Sequence, residues 1–368
     1  MKLTALLVLV MGAILCNAQK MDEAKIKNYR DLPWSQVALG MPDDWYVTIE
    51  AKMAADSILK YQTEIGGWPK NYNYHTGVNQ KEWASIKSTG IGATFDNGAT
   101  LTEMKFLVRM YNGVKDERYK YAFNKAFNYI LSAQYANGGW PQFYPIRPGR
   151  GVSYNSHITY NDDVMVNIMT FLRDIVEDKP FYSAMQISHK MKQKAKLALD
   201  MGVDCVLKTQ IMVNGNPTVW CAQHDEITLA PADARAYELA SFSGAESVNI
   251  VLFLMDIKNP SQEIIRSVNG AVNWFQNHKI EGIKLQQISN SDGLKDLIVI
   301  EDKNAGPLWA RFYDLDTELP FFCDRDGIKR KSFVEMGYNR RNGYRWYTTA
   351  PTKLFQKYPS WVKENNVN

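Results

Sequence analysis

Gln62-Thr63-Glu64-Ile65-Gly66-Gly67-Trp68-Pro69 is the first of three related stretches in this chain. The second is Gln134-Tyr135-Ala136-Asn137-Gly138-Gly139-Trp140-Pro141, and a weaker third is Gln210-Ile211-Met212-Val213-Asn214-Gly215-Asn216-Pro217, with Trp220 nearby. Gly67 and Gly139 are 72 residues apart, and Gly139 and Gly215 are 76 apart. A near-constant spacing indicates a repeated supersecondary unit.

Helical patterns surround each copy. A helix-like segment such as 126–134 precedes the copy, and we expect the glycine pair to end that helix because glycine adopts positive φ at little cost. A second helical pattern follows each copy, at 101–111, 164–175 and 248–255. The sequence therefore predicts an all-α (mostly) fold of repeated helix pairs with long irregular loops, and with the tryptophan of each copy buried.

The composition and the absence of a linker in the sequence favour one large domain. The chain has 368 residues, of which 45% are hydrophobic, so it can bury a large core. No Pro/Gly/Ser-rich linker interrupts it, and we expect a single domain from residue 19 to 368. Residues 286–319 lack a helical period, and Ile298-Val299-Ile300 within them predicts a short strand. Loops on such a scaffold commonly carry the chemistry.

The first 18 residues have the pattern of a signal peptide. Lys2 precedes an apolar run from Leu3 to Leu15, and Ala18 supplies a small residue for cleavage. We expect a secreted or periplasmic protein. Cys16 leaves a lipid anchor as the alternative, although the bulky Leu15 before it disfavours that signal. The remaining three cysteines allow at most one intrachain disulfide, and no paired Cys or His spacing predicts a zinc site.

Charge excludes some partners and suggests another. The net charge is +4 without a Lys/Arg block, so neither nucleic acid nor a membrane is an expected partner, and we expect a monomer. Arginines are concentrated in the last 60 residues, where they are Arg311, Arg325, Arg330, Arg340, Arg341 and Arg345. A solvated face explains any one of them, whereas the planar guanidinium fork also fits a carboxylate in two-point fashion.

Acidic and amide side chains precede the second helix of two repeats. Asp96-Asn97 comes before one, and Asn161-Asp162-Asp163 before the next; Asp96 aligns with Asn161, and Asn97 with Asp162. A helix N-cap explains one such residue per helix but not the adjacent pair Asp162 and Asp163. Two carboxylates suit a hard cation such as Ca²⁺, with a ligand carboxylate supplying further oxygens. Together with the arginines, they suggest a groove for an acidic sugar polymer.

Several long motifs resemble those of the pectate lyases of polysaccharide lyase family ten, in the same order from about residue 45 to 362. They are Gly66-Gly67-Trp68-Pro69-Lys70-Asn71, Thr94-Phe95-Asp96-Asn97-Gly98-Ala99-Thr100, Gly139-Trp140-Pro141-Gln142-Phe143-Tyr144-Pro145, Asn161-Asp162-Asp163, Trp309-Ala310-Arg311-Phe312-Tyr313 and Cys323-Asp324-Arg325-Asp326-Gly327. The resemblance implies an (α/α) toroid-like fold and Ca²⁺-dependent endo-cleavage of polygalacturonate.

The resemblance also implies roles for individual residues. It places the Brønsted base on Arg325, the Ca²⁺ ligand on Asp163 with Asp162 beside it, and the polar pair of the catalytic centre on Asp96 and Asn97. Arg235 and Arg311 correspond to binders of substrate carboxylates. Trp68 and Arg341 complete the predicted substrate-binding set, and Arg340 is a further candidate for a substrate role. If an arginine is not the base, the next candidates are Asp96, Asp162 and a histidine such as His224.

Two other functions fit parts of the pattern. Residues 127–140 also fit the Gln-x-x-x-Gly-x-Trp repeats of terpene cyclases, which use α/α toroids too, but the acidic Asp-x-Asp-Asp motif of those enzymes is missing. A non-catalytic polyuronate-binding protein would keep the arginines and aromatics, yet it would not need the acidic pair as well.

Overall fold

The computed structural model describes residues 29–77, 83, 91–365 and 367. The chain separates into two compact units, one of Met1–Ser132 and Asp174–Lys192 and the other of Ala133–Arg173 and Gln193–Asn368. The predicted signal peptide at 1–18 and its lipid-anchor alternative lie outside the described residues. Within those residues, no helix combines the length and the apolar character needed to cross a membrane.

Helices form most of the regular structure. In chain order they are α1 Trp34–Gly40, α2 Ile49–Tyr61, α3 Leu101–Val114, α4 Glu117–Ser132, α5 Val164–Val176, α6 His189–Thr209, α7 Glu246–Met255, α8 Gln262–Asn277, α9 Tyr338–Gly343 and α10 Thr352–Glu364. Helices α3, α5 and α7 cover the second helical patterns predicted after the three copies. Each of these predictions is confirmed to within three residues at either end.

Strands are short, and within the described residues they form two-stranded sheets. They are β1 Ile158–Thr159, β2 Met212–Val213, β3 Asn216–Pro217, β4 Gln223–His224, β5 Phe242–Ser243, β6 Ile283–Ser289, β7 Lys295–Glu301, β8 Trp309–Ala310, β9 Phe312–Tyr313, β10 Phe322–Cys323, β11 Lys329–Arg330 and β12 Tyr347–Thr348. The pairs are β1 with β4, β2 with β3, β5 with β9, β6 with β7, β8 with β12 and β10 with β11, all antiparallel. The strand predicted at 298–300 is part of β7.

In the first two copies the glycine pair closes a turn after the helix, which corrects our expectation that it ends the helix. Helix α2 ends at Tyr61, and Gln62 is already extended, with φ −64° and ψ 126°. The backbone N–H of Thr63 then donates to the carbonyl of Gly67 at 3.0 Å, and that of Gly66 donates to Thr63 at 3.0 Å. The glycines are therefore selected by the turn and not by the helix end.

A close approach of backbone explains why this turn needs glycine. Gly66 has φ +109°, and a Cβ there would lie 2.4 Å from the carbonyl oxygen of Lys125 on α4. Gly138, at φ +92°, would place a Cβ 1.9 Å from the carbonyl oxygen of Met201 on α6. Both contacts are with backbone, so a side chain could not be accommodated by a change of rotamer.

The glutamine that opens each copy ties its turn to a helix of the following repeat. Its Nε2 donates to one carbonyl of its own turn and to one carbonyl of that helix, which we call the glutamine bridge. The bonded carbonyls are Gly66 and Ala122 for Gln62, Gly138 and Ala198 for Gln134, and Thr218 and Ser267 for Gln210, at 2.8–3.0 Å. Two satisfied donors on one side chain explain why this glutamine recurs.

The tryptophans reveal a fourth copy that the sequence pattern hides. The indole Nε1 of Trp68 donates to the carbonyl of Ile58, and that of Trp220 donates to Val206, at 2.9 and 2.7 Å. Trp309 donates in the same way to Phe275 at 2.8 Å. Lys279 occupies the position of the bridging glutamine in this copy, and the β6–β7 hairpin separates it from its tryptophan.

An aromatic cluster fills the core beside that hairpin in the second unit. It consists of Tyr237, Phe312, Phe321, Phe322, Cys323, Phe333, Met336 and Trp346, all buried. Leu285 of β6 and Leu297 and Val299 of β7 pack against it. This cluster supports the segments that carry Arg235, Arg311 and Arg325.

Candidate active site

The Asn161-Asp162-Asp163 turn precedes α5 in an uncommon backbone conformation. Asp162 lies at φ 52°, ψ 26°, and Asp163 at φ 58°. Asn97 of the first copy lies at φ 52°, ψ 29°, so the backbone agrees with the alignment of Asn97 on Asp162. Non-glycine residues adopt positive φ only when their surroundings hold them there, and such residues are frequent at functional sites.

Two carboxylates meet at this turn. Asp162 is exposed, and its Oδ2 accepts a hydrogen bond from Asn161 Nδ2 at 3.0 Å. Asp163 is partly buried and its Oδ2 accepts from Asn249 Nδ2 at 2.9 Å. Burial raises the pKa of the Asp163 carboxyl above its usual range, Asn249 opposes this, and the nearby carboxylates of Glu246 and Asp162 raise the pKa further. Crowded carboxylate oxygens of this kind fit a hard cation, which would relieve their repulsion.

A separate group of metal-binding side chains lies elsewhere in the second unit. His157, Asp225 and Glu226 bring one ligand atom each to within 4.8 Å of one another, and no other set of three or more such side chains occurs among the described residues. His157 Nδ1 lies 3.0 Å from Glu226 Oε2, and Asp225 Oδ1 accepts two backbone and one hydroxyl hydrogen bond from its own loop. The predicted ligands Asp162 and Asp163 do not belong to this group.

Arg311 is joined to the acidic turn. Its Nη2 donates to Asn161 Oδ1 at 2.9 Å and also to Glu246 Oε1 in an ion pair. The guanidinium carbon lies 4.6 Å from the centre of the Tyr344 ring. The structure thus brings together three predicted site residues, Asp162, Asp163 and Arg311.

Arg235 belongs to the same network through Glu238. Its Nε donates to Glu238 Oε2 at 2.7 Å, and Nη2 donates to the other carboxylate oxygen. The hydroxyl of Tyr344 donates to Glu238 Oε1 at 2.7 Å. Because Arg311 lies over the ring of Tyr344, this tyrosine connects the surroundings of both arginines.

Arg325 lies in the turn between β10 and β11 and is exposed. Its guanidinium forms no hydrogen bond or ion pair with any residue in the described part of the chain. The neighbouring carboxylates are engaged elsewhere: Asp324 accepts the backbone N–H groups of Arg325 and Gly337 at 2.9 and 2.8 Å, and Asp326 pairs with Arg330. This turn adjoins the Arg235 segment, since Cys323 Sγ lies 3.5 Å from the carbonyl oxygen of Ala236.

Arg341 has its guanidinium engaged inside the protein, which lends no support to the prediction that it binds substrate. Its Nε and Nη2 donate to the two oxygens of Asp296 at 3.0 and 2.6 Å, and Nη1 donates to the carbonyl of Met336 at 2.7 Å. These hydrogen bonds from Arg341 lower the pKa of Asp296 to about 2. All three guanidinium nitrogens are therefore occupied inside the protein. Arg340, the further candidate, lies 4.0 Å from the ring centre of Tyr237, and Arg235 lies 4.9 Å from the same ring centre.

Two further predictions are corrected by burial. Trp68 is 0% exposed and its indole N–H is bonded within the core, so it offers no surface to a sugar. His224 is also 0% exposed; its Nε2 accepts from the backbone of Cys221, and its Nδ1 lies 2.9 Å from the carbonyl oxygen of Leu229. Burial lowers the pKa of His224 to about 4, and both ring nitrogens are engaged, so it is no candidate for the base.

Asp96 and Asn97 lie in the first unit and form a turn of their own. Asp96 is buried and pairs with Lys70, whereas Asn97 is exposed and donates to Asn71 Oδ1 at 3.2 Å. The other oxygen of Asp96, Oδ1, is buried without a hydrogen-bond partner among the described residues. Lys70, Asn71 and Asn97 line a cavity of about 260 Å³.

Glu103 lies at the same cavity as a buried acid. Its Oε1 accepts the indole N–H of Trp34 at 2.7 Å. Burial raises its pKa to about 7, although the Trp34 hydrogen bond lowers it in part. This group therefore titrates near neutrality.

Sequence reasoning missed the partners of the arginines. Glu238, Glu246, Asn249 and Tyr344 were not singled out, although each contacts a predicted site residue directly or through another side chain. One available signal was the Ser243-x-x-Glu246 spacing of a capping box before a helical pattern. In the structure Ala245 is the N-cap and Glu246 is the first residue of α7, so no capping box forms, although Ser243 Oγ accepts the Glu246 backbone N–H at 3.0 Å.

The chain belongs to the pectic acid lyase family, whose model matches residues 62–355. It is similar to two solved structures of a family 10 polysaccharide lyase from Cellvibrio cellulosa, each with 34% identity, a TM-score of 0.72 and 86% of this chain covered. The unmodified enzyme is covered to 96% of its chain, and a mutant of it in complex with trigalacturonic acid to 95%. No curated protein is detectably similar in sequence.

These similarities confirm three predictions. The protein is a pectate lyase, it resembles the enzymes of family ten, and it has their mostly α-helical (α/α) toroid-like fold with few short strands. The terpene-cyclase-like and the non-catalytic alternatives have no support in them.

Proposed function

We propose that this pectate lyase cleaves de-esterified polygalacturonate within the chain by β-elimination, using Ca²⁺ and an arginine base. The observation that carries the proposal is the contact between Asn161 and Arg311, because it sets a guanidinium beside the paired carboxylates Asp162 and Asp163. An anionic substrate needs two kinds of group. Arginine binds its carboxylate, and the aspartates provide oxygen ligands for a cation that the substrate also contacts. The complex of the Cellvibrio enzyme with trigalacturonic acid supports the same substrate class.

The reaction explains why positive charge must surround the substrate carboxylate. The C5 proton of a galacturonate is removed, a C4–C5 double bond forms, and the C4 glycosidic oxygen leaves. The C5 proton is poorly acidic beside an ionised carboxylate, so groups that neutralise this carboxylate and the developing enolate charge lower the barrier. Arg311 and Arg235 are the donors that the second unit provides for that purpose.

Asp163 and Asp162 would hold the Ca²⁺ ion, and carboxylate oxygens of the substrate would complete its coordination. Ca²⁺ takes six to eight oxygen ligands, more than these two side chains supply. When bound, Ca²⁺ would neutralise the substrate carboxylate. We therefore expect metal and substrate to bind with positive cooperativity.

We assign the base to Arg325, with Arg235 as the competing residue. Arginine is almost always protonated near neutrality, so a base needs a guanidinium that no carboxylate stabilises in its charged form. The guanidinium of Arg325 pairs with no carboxylate of the described residues, whereas in Arg235 burial lowers the pKa but the ion pair with Glu238 outweighs it and raises the pKa. Arg235 nevertheless lies closer to the acidic turn along the contact network, so substrate binding that displaced Glu238 would favour it.

Single substitutions of the arginines test this assignment. Arg325→Ala should abolish turnover while oligogalacturonate still binds, and Arg311→Ala should raise KM with a smaller effect on kcat. If Arg325→Ala retains more than about a tenth of wild-type kcat, a barrier change below about 1.4 kcal/mol, Arg325 is not the base. Loss of turnover without loss of binding in Arg235→Ala alone would transfer the role to Arg235. Arg341→Lys serves as a control for damage to the structure.

The pH profile tests the arginine chemistry independently of any variant. The deprotonated fraction of a high-pKa base grows about tenfold per pH unit below its pKa, so kcat should rise from pH 7 into the alkaline range. A carboxylate base such as Asp96 or Asp162 would instead reach its plateau by about pH 7. Kinetics must be measured with saturating Ca²⁺ so that metal binding does not shape the curve.

We also propose export of the protein, on the strength of the sequence pattern at 1–18. Mass spectrometry of the mature N-terminus distinguishes its outcomes. A chain beginning at Gln19 supports cleavage by signal peptidase, a lipidated Cys16 supports the anchored form, and an intact Met1 contradicts both.

A further inference from the structure

Arg311 and Asp163 lie far apart in the sequence, yet the first turn of α7 contacts both. Glu246, the first residue of this helix, forms an ion pair with Arg311, and Asn249 donates to Asp163 at 2.9 Å. Residues three apart in a helix lie on the same face. One helical turn therefore touches the group proposed to take the substrate carboxylate and the group proposed to take the cation.

The backbone fixes this turn against the segment that carries Arg311, which lies between β8 and β9. Strand β5 pairs with β9 in a register that places Ser243 opposite Phe312, and the N–H of Gly244 donates to the carbonyl of Arg311 at 2.9 Å. A Cβ on Gly244 would lie 2.1 Å from the carbonyl oxygen of Ala310. This close approach leaves little freedom for α7 to shift along this segment, so the side chains of Glu246 and Arg311 leave the backbone at a fixed separation.

The carboxylate of Glu246 is buried but fully engaged. Its side chain is only 5% exposed. One oxygen accepts from the hydroxyl of Ser243 and the other from Arg311 Nη2. A buried carboxylate without such partners would be strongly unfavourable, so Glu246 and Arg311 fix each other's position.

The contacts leave part of the guanidinium for a ligand. Glu246 and Asn161 both bind Nη2 of Arg311. Nη1 has no hydrogen-bond partner within the described part of the chain. Glu246 thus orients the arginine without consuming the whole donor fork.

We propose that Glu246 and Asn249 are positioning residues, which set the separation between Arg311 and the acidic turn. This separation matches a uronate carboxylate that contacts both Arg311 and a cation held by Asp163. The inference rests on the proposed function, because it assigns Arg311 to the substrate and Asp163 to the cation. Neither residue contacts the reacting atoms: Glu246 acts through Arg311, and Asn249 acts through Asp163.

Two variants separate the two halves of this role. Glu246→Gln keeps the shape but removes the charge that holds Arg311, so KM for polygalacturonate should rise about tenfold with kcat less affected. Asn249→Leu removes the donor to Asp163, so the Ca²⁺ concentration for half-maximal activity should rise about tenfold, as for other residues that orient a metal ligand. At saturating Ca²⁺, the KM of Asn249→Leu should return toward the wild-type value.

A matched control and a second readout exclude a merely structural effect. Glu263→Gln changes an exposed first-turn glutamate of α8 and should alter neither constant. Calorimetric titration of trigalacturonate at several Ca²⁺ concentrations should show the same shifts as the kinetics. If Glu246→Gln does not fold, Ser243→Ala, which removes one partner of Glu246, should raise KM in the same direction by a smaller factor.

The outcomes distinguish this inference from the proposed function. The inference is overturned, and the proposed function stays intact, if the wild-type enzyme is active and both variants keep its KM, its Ca²⁺ requirement and its affinity for trigalacturonate. Wild-type protein that binds trigalacturonate with Ca²⁺ but releases no unsaturated product overturns the lyase mechanism, and the binding shifts of the variants still decide the positioning role. Wild-type protein that binds neither trigalacturonate nor Ca²⁺ overturns both the inference and the proposed function.

Discussion

The turns at 96–98 and 161–163 have the same backbone but exchanged side chains. Asn97 and Asp162, the middle residues, share φ 52° and are both exposed. The buried first residue is the acid Asp96 in one turn and the amide Asn161 in the other. Asp96 forms an ion pair with Lys70. Asn161 accepts a hydrogen bond from Arg311, and the positive charge of Arg311 is paired with Glu246. The repeat thus places one buried polar residue at the start of a helix in each copy. The exchange of Asp for Asn at this position determines whether the turn itself contributes the buried negative charge, as Asp96 does, or whether Glu246 contributes it.

The largest effect should come from removing the buried acid of the first turn. Asp96→Asn gives both turns the same first residue and removes the carboxylate that pairs with Lys70. If Asp96 belongs to the catalytic centre, kcat should fall by about 10²–10³, and added Ca²⁺ should not restore it. Steady-state kinetics over a Ca²⁺ series, with circular dichroism to confirm folding, measures this. Near wild-type turnover would restrict Asp96 to a structural ion pair.

Buried titratable groups near the two turns should respond to pH with opposite signs. The pKa of Glu103, on the helix after the first turn, is raised to about 7, so its contribution to stability is complete below about pH 4.5 and is lost as pH rises through 7. The pKa of His224, paired across strands with Ile158, is lowered to about 4, so its contribution is complete above about pH 6.5 and is lost as pH falls through 4. Each shift corresponds to roughly 3 kcal/mol.

Chemical denaturation from pH 4 to 8 checks these signs. Glu103→Gln should gain stability relative to wild type as the pH rises, and His224→Gln should lose less stability than wild type as the pH falls. Difference curves that are flat for both variants would show that neither group controls the pH dependence.

A smaller, reversible effect is expected at the acidic pair of the second turn. Asp163→Asn keeps the acceptor for Asn249 but removes a charged oxygen ligand. Activity at limiting Ca²⁺ should fall about 10–100-fold and recover largely with excess Ca²⁺. This recovery is the contrast with Asp96→Asn. A loss that Ca²⁺ does not relieve would argue against a metal role for Asp163.

The smallest effect tests the shared backbone itself. Replacing Asn97 or Asp162 by Ala should destabilise the protein by about 1 kcal/mol, because alanine is disfavoured at positive φ, whereas Gly at the same position should be tolerated. Thermal unfolding of the four single variants provides the measurement. Ala and Gly variants of equal stability in one turn would show that its conformation differs from that of the other.

The sequence predicted the helix pairs because a turn motif with glycine and tryptophan recurs near a fixed spacing. It did not reveal the fourth copy, since Lys279 replaces the glutamine and a strand hairpin is inserted before Trp309. The acidic turn and Arg311 were singled out as site candidates from the sequence, and the contact between Asn161 and Arg311 became visible only in the structure. The catalytic roles themselves stay predictions.

Several of the omissions have one physical cause, which is pairing over long sequence distances. Arg341 reads as a free cation until its partner Asp296, 45 residues earlier, is seen to bind it. Glu246 and Asn249 read as ordinary helical residues because their partners are 65 and 86 residues away. Aromatic composition gave no means to distinguish Trp68 in the core from a tryptophan that stacks on sugar.

The glutamine bridges favour an order of folding during synthesis of the protein. Each bridge joins residues 57–64 positions apart, and the acceptor helix always follows the glutamine in the chain. At a synthesis rate of about 5–20 residues per second, a glutamine waits roughly 3–12 s for its acceptor to be translated. The turn of Gln62 can therefore be completed before that of Gln134, and that of Gln134 before that of Gln210, so that the nascent chain can close its repeats from the N-terminus as they leave the ribosome.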